Sequence, residues 1–230
     1  MFGREILQPR LTCFYGCEGI TYRYSGKKLD ASSWEGVSPI QEILSATEAT
    51  AGVGKGFFNC VLLNWYRTGE DYMGWHSDDE KELEEGAAIA SVSLGEERTF
   101  QLRRKSDHSQ QVKLELGVGS LLLMEGDTQR YWQHRVPKRS AKERRQEMEV
   151  REEGIHSGIE GVTIPNGGQV RQVLVEGRTT AARRQRRTNG EPAVGSHLKW
   201  KEEQSGASNV VCSIPATGRI NLTFRRVSNV

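Results

Sequence analysis

Residues 57–136 break into short apolar runs at 57–67, 87–94, 98–103, 111–116, 120–125 and 130–136, separated by turns that often carry glycine. Runs of this length, rich in Val, Leu, Ile and aromatic residues, read as strands. So many short strands in succession predict a mainly β, α+β fold in which two sheets pack face to face, a sandwich or jelly roll. Residues 220–227 add a last strand, with Ile220, Leu222 and Phe224 on one face and Asn221, Thr223 and Arg225 on the other.

The flanking segments read differently. Residues 19–26 are a strand between glycines. Ser38 is expected to cap a helix, with Pro39 at its first position and Gln41 completing a capping box. Ile40, Ile43 and Leu44 would share its apolar face, and Gly52 would end it. The stretch 139–216 is polar, rich in Arg, Glu and Gly, and almost free of aromatics. Such composition cannot offset the entropy of ordering, so most of it is expected to be disordered. A single domain over 1–227, interrupted by this basic insertion, is the predicted organisation.

Composition narrows the setting. Hydrophobic residues make up 36% of the chain and charged residues 27%, with a formal net charge of +2. No apolar run reaches the length of a membrane span. Met1-Phe2-Gly3-Arg4 opens no apolar signal core, so secretion is not expected. The cysteines, Cys13, Cys17, Cys60 and Cys212, have no zinc spacing and read as reduced thiols of an intracellular protein. The cluster at Arg183 to Arg187 suggests a nucleic-acid or nuclear-localisation patch, and hence a nuclear protein in a eukaryote. Translated intron is the competing account of the segment that holds it.

Chemistry concentrates in a few residues. His76 and Asp78 are two apart, so on a strand they project from one face. With His134 beside them they would form a triad of two imidazoles and one carboxylate, the ligand set of non-heme Fe(II) oxygenases, which leaves three metal positions open. His108, His156 and His197 lie in polar stretches and read as solvated. Arg219 and Arg225 are six apart and share a strand face, suited to an anionic co-substrate.

Five motifs in order carry a resemblance: Asn64-Trp65-Tyr66, Trp75 to Glu80, Ile89 to Gly95, Gly119 to Leu122, and Arg219-Ile220-Asn221-Leu222-Thr223-Phe224-Arg225. Together they resemble the AlkB family of Fe(II)- and 2-oxoglutarate-dependent dioxygenases, and within it the subgroup that repairs alkylated bases in duplex DNA. The resemblance implies a double-stranded β-helix with an N-terminal β/α extension that grips nucleic acid. It implies His76, Asp78 and His134 as Fe(II) ligands, and Arg219, Arg225, Thr223, Asn64 and Tyr66 around 2-oxoglutarate. Asp79 and Glu80 would meet the exocyclic amine of the damaged base, and Tyr24, with Tyr22 on the same strand face, would stack on it. Phe2 would fill the gap left by the flipped base, while Arg4, Arg10, Arg103, Arg104 and Lys105 would meet phosphates.

The implied reaction is oxidative demethylation of bases such as 1-methyladenine and 3-methylcytosine by a monomer acting on DNA, releasing succinate, CO2 and formaldehyde. The long insertion departs from the family pattern. It leaves open a second reading, a catalytically impaired nucleic-acid-binding protein whose last strand cannot dock. A third reading keeps the chemistry and moves it to RNA or protein.

Overall fold

The computed structural model describes residues 9–24, 27–139, 160–163, 168–174, 198–200, 210–212 and 218–228. Phe2, Arg4, the run Arg183 to Arg187 and the side chain of Tyr24 lie outside the described residues.

The strands are β1 (Leu11–Gly16), β2 (Thr21–Tyr24), β3 (Lys27–Asp30), β4 (Ser32–Ser33), β5 (Cys60–Tyr66), β6 (Met73–His76), β7 (Ile89–Gly95), β8 (Arg98–Arg104), β9 (Gln111–Leu116), β10 (Ser120–Gly126), β11 (Trp132–Val136), β12 (Glu160–Thr163), β13 (Gly168–Leu174), β14 (Leu198–Trp200), β15 (Val210–Cys212) and β16 (Arg219–Arg225). Two helices accompany them, α1 (Ser38–Ala51) and α2 (Thr128–Tyr131). Two sheets form the body. The larger runs β12-β13-β10-β7-β16-β5-β1-β4, and the smaller runs β6-β11-β8-β9. The mainly β jelly-roll architecture expected from the short apolar runs is the one observed.

The pleat explains where the site falls. In β5, β7, β10 and β16 one set of side chains points outward: Val61, Leu63, Ala90, Val92, Leu121, Leu123, Ile220, Leu222 and Phe224 pack in one cluster with Ile40 and Ala51 of α1. The other set points between the sheets. Near β10 it is apolar, with Leu122 and Met124 against Phe100, Leu102, Trp132 and Val136 of the smaller sheet. In β5, β7 and β16 it becomes polar, with Asn64, Ser91, Ser93, Arg219, Asn221, Thr223 and Arg225 all buried. Buried polar groups in such density must find partners or a ligand.

β16 is the key of the larger sheet. It pairs along its whole length with β5, from Arg219↔Tyr66 to Arg225↔Cys60, and with β7 from Arg219↔Gly95 to Phe224↔Ala90. Gly218 lets it start there. A Cβ at this position would lie 2.5 Å from the Tyr66 carbonyl oxygen, and its φ of 85° is one that only glycine adopts readily.

Three details depart from expectation. α1 is capped by Val37 without a side-chain bond, so Ser38 sits inside the helix and its hydroxyl donates to Glu42 rather than closing a box with Gln41. Gly52 ends it in the left-handed conformation, as its position predicts. β6 stops at His76, so Asp78 lies beyond the strand rather than on it. Within the insertion, Gly168–Leu174 is ordered as β13, pairing with β10 from Ser120↔Leu174 to Gly126↔Gly168. Its Val170 is 2% exposed and joins the core between the sheets, and Arg171 holds Glu125 with two bonds. The composition of the whole stretch concealed this strand and the shorter β12, β14 and β15.

Candidate functional site

His76 ends β6 and His134 sits mid-way along β11, and the two face each other as cross-strand partners. Their ring centroids are 4.1 Å apart. Asp78 reaches the same point from the turn after β6. Its Oδ1 lies 3.6 Å from His76 Nε2, and one ligand atom from each of the three residues falls within 4.8 Å of the others. His76 Nδ1 donates to the Gly74 carbonyl at 2.9 Å, which leaves Nε2 with its lone pair toward Asp78. The turn is held in place: Ser77 Oγ donates to the Trp132 carbonyl at 2.9 Å, and the Asp78 amide donates to Gln129 Oε1 at 3.0 Å.

Charge is arranged around this triad. Burial opposes ionisation of Asp78, but Arg225 and the two imidazoles outweigh it, and the carboxyl titrates well below the usual range. Arg225 Nη2 and Nε both donate to Asp78 Oδ2, at 2.8 and 3.2 Å. Asp78 Oδ1 is buried and makes no hydrogen bond among the described residues. Burial, with His76 beside it, pushes His134 down to about 3, and burial likewise lowers His76. Both rings are therefore neutral near pH 7, the form that binds metal.

A cavity of about 40 Å³ adjoins the triad, lined by Asn64, Tyr66, Ser91, Asn221, Thr223 and Arg225 on the polar side and Leu62, Phe100 and Met124 on the apolar side. Asn221 donates to Ser91 Oγ, Thr223 donates to Asn221, and Arg10 donates to Asn64. Arg219 is fully buried against Tyr66. Its Nη2 donates to Ser93, whereas its Nε and Nη1 have no partner among the described residues. Burial, with Arg98 and Arg139 adding like charge, brings its guanidinium down to about 10. A buried cation with two unused donors is unfavourable until an anion meets it.

The model of the 2OG-Fe(II) oxygenase superfamily matches residues 12–225, which is nearly the whole chain. The chain belongs to that superfamily. Its residues fit the metal and co-substrate the oxygenases use: Asp78 Oδ1 is free at the triad, and Arg219 offers two unmet donors for a carboxylate. Among known proteins it is 40% identical over 166 residues to the DNA oxidative demethylase ALKBH2 of Arabidopsis thaliana, covering 62% of this chain and 52% of that protein. It is 38% identical over 146 residues to the human ALKBH2, covering 60% and 54%. It is 41% identical over 145 residues to the mouse alpha-ketoglutarate-dependent dioxygenase alkB homolog 3, covering 57% and 46%. The chain thus spans about half the length of the curated relatives it matches.

The residues expected to meet a base separate into two groups. Asp79 and Glu80 line a cleft of about 510 Å³ that shares Asp78 and Arg225 with the inner cavity. Asp79 is exposed and paired with Lys105 at 3.1 Å. Glu80 is partly buried, and that burial, with Asp78 close by, raises its carboxyl above the ordinary value. Tyr22 and Arg10 depart from expectation. Tyr22 is 1% exposed, with Phe14 and Arg225 against its ring, so it presents no open face for stacking. Arg10 is 5% exposed and turned inward to Asn64 Oδ1 at 2.7 Å, so it supports the inner cavity and not a phosphate. Ser91, Ser93 and Gln129 escaped the sequence reading. The first two were visible as serines alternating inside an apolar run, and Gln129 gave no signal.

Proposed function

We propose that this chain is an Fe(II)- and 2-oxoglutarate-dependent dioxygenase that removes methyl groups from ring nitrogens of damaged bases in DNA. The observation that carries the reading is the buried triad, whose Asp78 Oδ1 has no hydrogen-bond partner among the described residues, together with the buried Arg219, whose Nε and Nη1 have none there either. The likeness to DNA oxidative demethylases supports DNA as the substrate. Fe(II) with 2-oxoglutarate supplies oxidation of a C–H bond by dioxygen when bound. In that assignment His76, Asp78 and His134 hold the metal, and Arg219 pairs with the co-substrate carboxylate remote from it.

Arg225 keeps Asp78 ionised and in one orientation. Leu62, Phe100 and Met124 keep water from the reacting centre. Asp79 and Glu80, at the wall of the cleft, favour a base that carries positive charge, as 1-methyladenine and 3-methylcytosine do. Hydroxylation of the N-methyl carbon gives a hemiaminal, which breaks down to the repaired base and formaldehyde, with succinate and CO2 from the co-substrate.

The reading of a catalytically impaired binding protein required a last strand kept from docking. β16 lies between β5 and β7 in full register, which favours the enzyme. The test is a duplex oligonucleotide carrying one 1-methyladenine, given Fe(II) and 2-oxoglutarate without air and then oxygenated. Loss of one methyl mass that needs both additions supports the proposal. No loss on duplex DNA, with loss on single strands or RNA, keeps the chemistry and changes the substrate. No loss on any of these refutes base demethylation.

A further inference from the structure

We propose that Trp75, held between Arg103 and Arg135 on the outer face of the smaller sheet, is a positioning residue for the metal centre. It fixes β6 against β11 and so aims the imidazole of His76. The proposal rests on reading His76 as a metal ligand.

β6 needs such a device. It is four residues long and lies at the edge of its sheet, with β11 as its one neighbour there. Its pairing is recorded at His134↔His76 and Val136↔Met73, with an irregularity between them. A ladder so short and uneven specifies register weakly, and a slip of one residue would carry His76 to the outer face. Beyond His76, the bonds of Ser77 to Trp132 and of Asp78 to Gln129 hold the chain. Before it, the backbone ladder alone does not suffice.

The outer face supplies what is missing. Gln133 and Arg135 of β11 lie directly opposite Arg103 and Gln101 of β8. Arg103 Nε and Nη2 donate to Gln133 Oε1 at 2.9 and 2.7 Å, and Arg135 Nε donates to Gln101 Oε1 at 2.7 Å. The two cross-strand pairs mirror each other and fix both guanidinium planes. Each guanidinium carbon is 4.4 Å from the centroid of the Trp75 ring.

Neither arginine has a carboxylate partner among the described residues, whereas Arg67, Arg139, Arg171 and Arg226 each do. Neutral amides orient the two cations without competing for their charge, and the indole face takes the interaction. Trp75 therefore cannot slide along β11 without leaving both. The next residue is His76, whose ring meets His134 on the inner face.

The test uses Co(II), whose visible absorption reports ligand geometry, titrated into the metal-free full chain, with urea unfolding alongside. Trp75→Leu is expected to weaken Co(II) binding about tenfold or more and to alter the spectrum, with the urea midpoint close to the parent's. Trp75→Phe, which keeps a ring for both guanidiniums, is expected to recover most of the affinity. Arg135→Met should act in the same direction as Trp75→Leu, and it decides the matter if Trp75→Leu does not fold. Parent affinity and spectrum in folded Trp75→Leu or Arg135→Met overturn the proposal. So does a loss that tracks the urea midpoint and is not rescued by Trp75→Phe, since that marks ordinary packing. A parent chain that binds no Co(II) overturns the metal reading itself, and the clamp with it.

Discussion

Arg219 and Arg225 are equally buried yet opposite in circumstance. Arg225 neutralises Asp78, while two of Arg219's donors are unmet among the described residues. Removing Arg225 strands a buried carboxylate, which costs about 3–5 kcal/mol, so Arg225→Met should lower the urea midpoint of the metal-free chain sharply. Arg219→Met removes an uncompensated charge and should leave that midpoint level or raise it. It should weaken 2-oxoglutarate binding by roughly ten- to a hundredfold, the worth of hydrogen bonds to a charged group, measurable by calorimetry without oxygen.

His134 makes the third test. Its pKa is 6.5 ordinarily and about 3 here. Between those values the unfolded chain binds a proton that the folded chain refuses, so stability falls as pH drops from 6.5 toward 3. The metal-free protein should lose stability between pH 7 and pH 5 by urea titration, and His134→Gln should flatten that dependence while abolishing metal binding. The triad of His76, Asp78 and His134 was legible because its residues fall in motifs of fixed spacing, whereas the pairing of Arg225 with Asp78 was not anticipated. Tyr22 and Arg10 were misread because spacing cannot tell which side of a strand lies under a second layer.

At the level of elements, apolar runs announced β5, β7, β8, β9, β10 and β16 to within a few residues. β6 gave no apolar run, since Met-Gly-Trp-His at a half-buried edge carries no alternation, and the strand expected there rested on the spacing of His76 and Asp78 alone. β13 was hidden by its polar neighbours, because one strand buries Val170 while the sequence around it looks solvated. This yields a prediction about the insertion. Deleting residues 156–176 reopens the edge of β10 and removes Val170 from the core and Arg171 from Glu125. That variant should unfold at clearly lower urea than the parent. Equal midpoints would show that β13 contributes nothing to stability.

For the whole molecule, the two sheets enclose a polar interior that packing alone leaves poorly satisfied. Ligands that meet those groups should stabilise the fold by mass action, about 2.7 kcal/mol for each at a hundred times its dissociation constant. Mn(II) should raise the thermal midpoint, and 2-oxoglutarate should raise it further in the parent but far less in Arg219→Met. The family architecture could be anticipated from strand number and motif order. The extension of the larger sheet by β12 and β13 could not, because composition averages over a stretch and hydrogen bonding does not.

The central strand of the larger sheet is also the last to be made. Tyr66 of β5 pairs with Arg219, and Gly95 of β7 pairs with the same residue. At ribosomal rates the wait between β5 and β16 is on the order of ten seconds. Throughout it, two long apolar strands hold open edges in the cell with nothing between them. Open strand edges on a nascent chain invite aggregation. Mutations that slow the arrival of β16, even silent ones that pause translation, should show as aggregation before they show as lost activity.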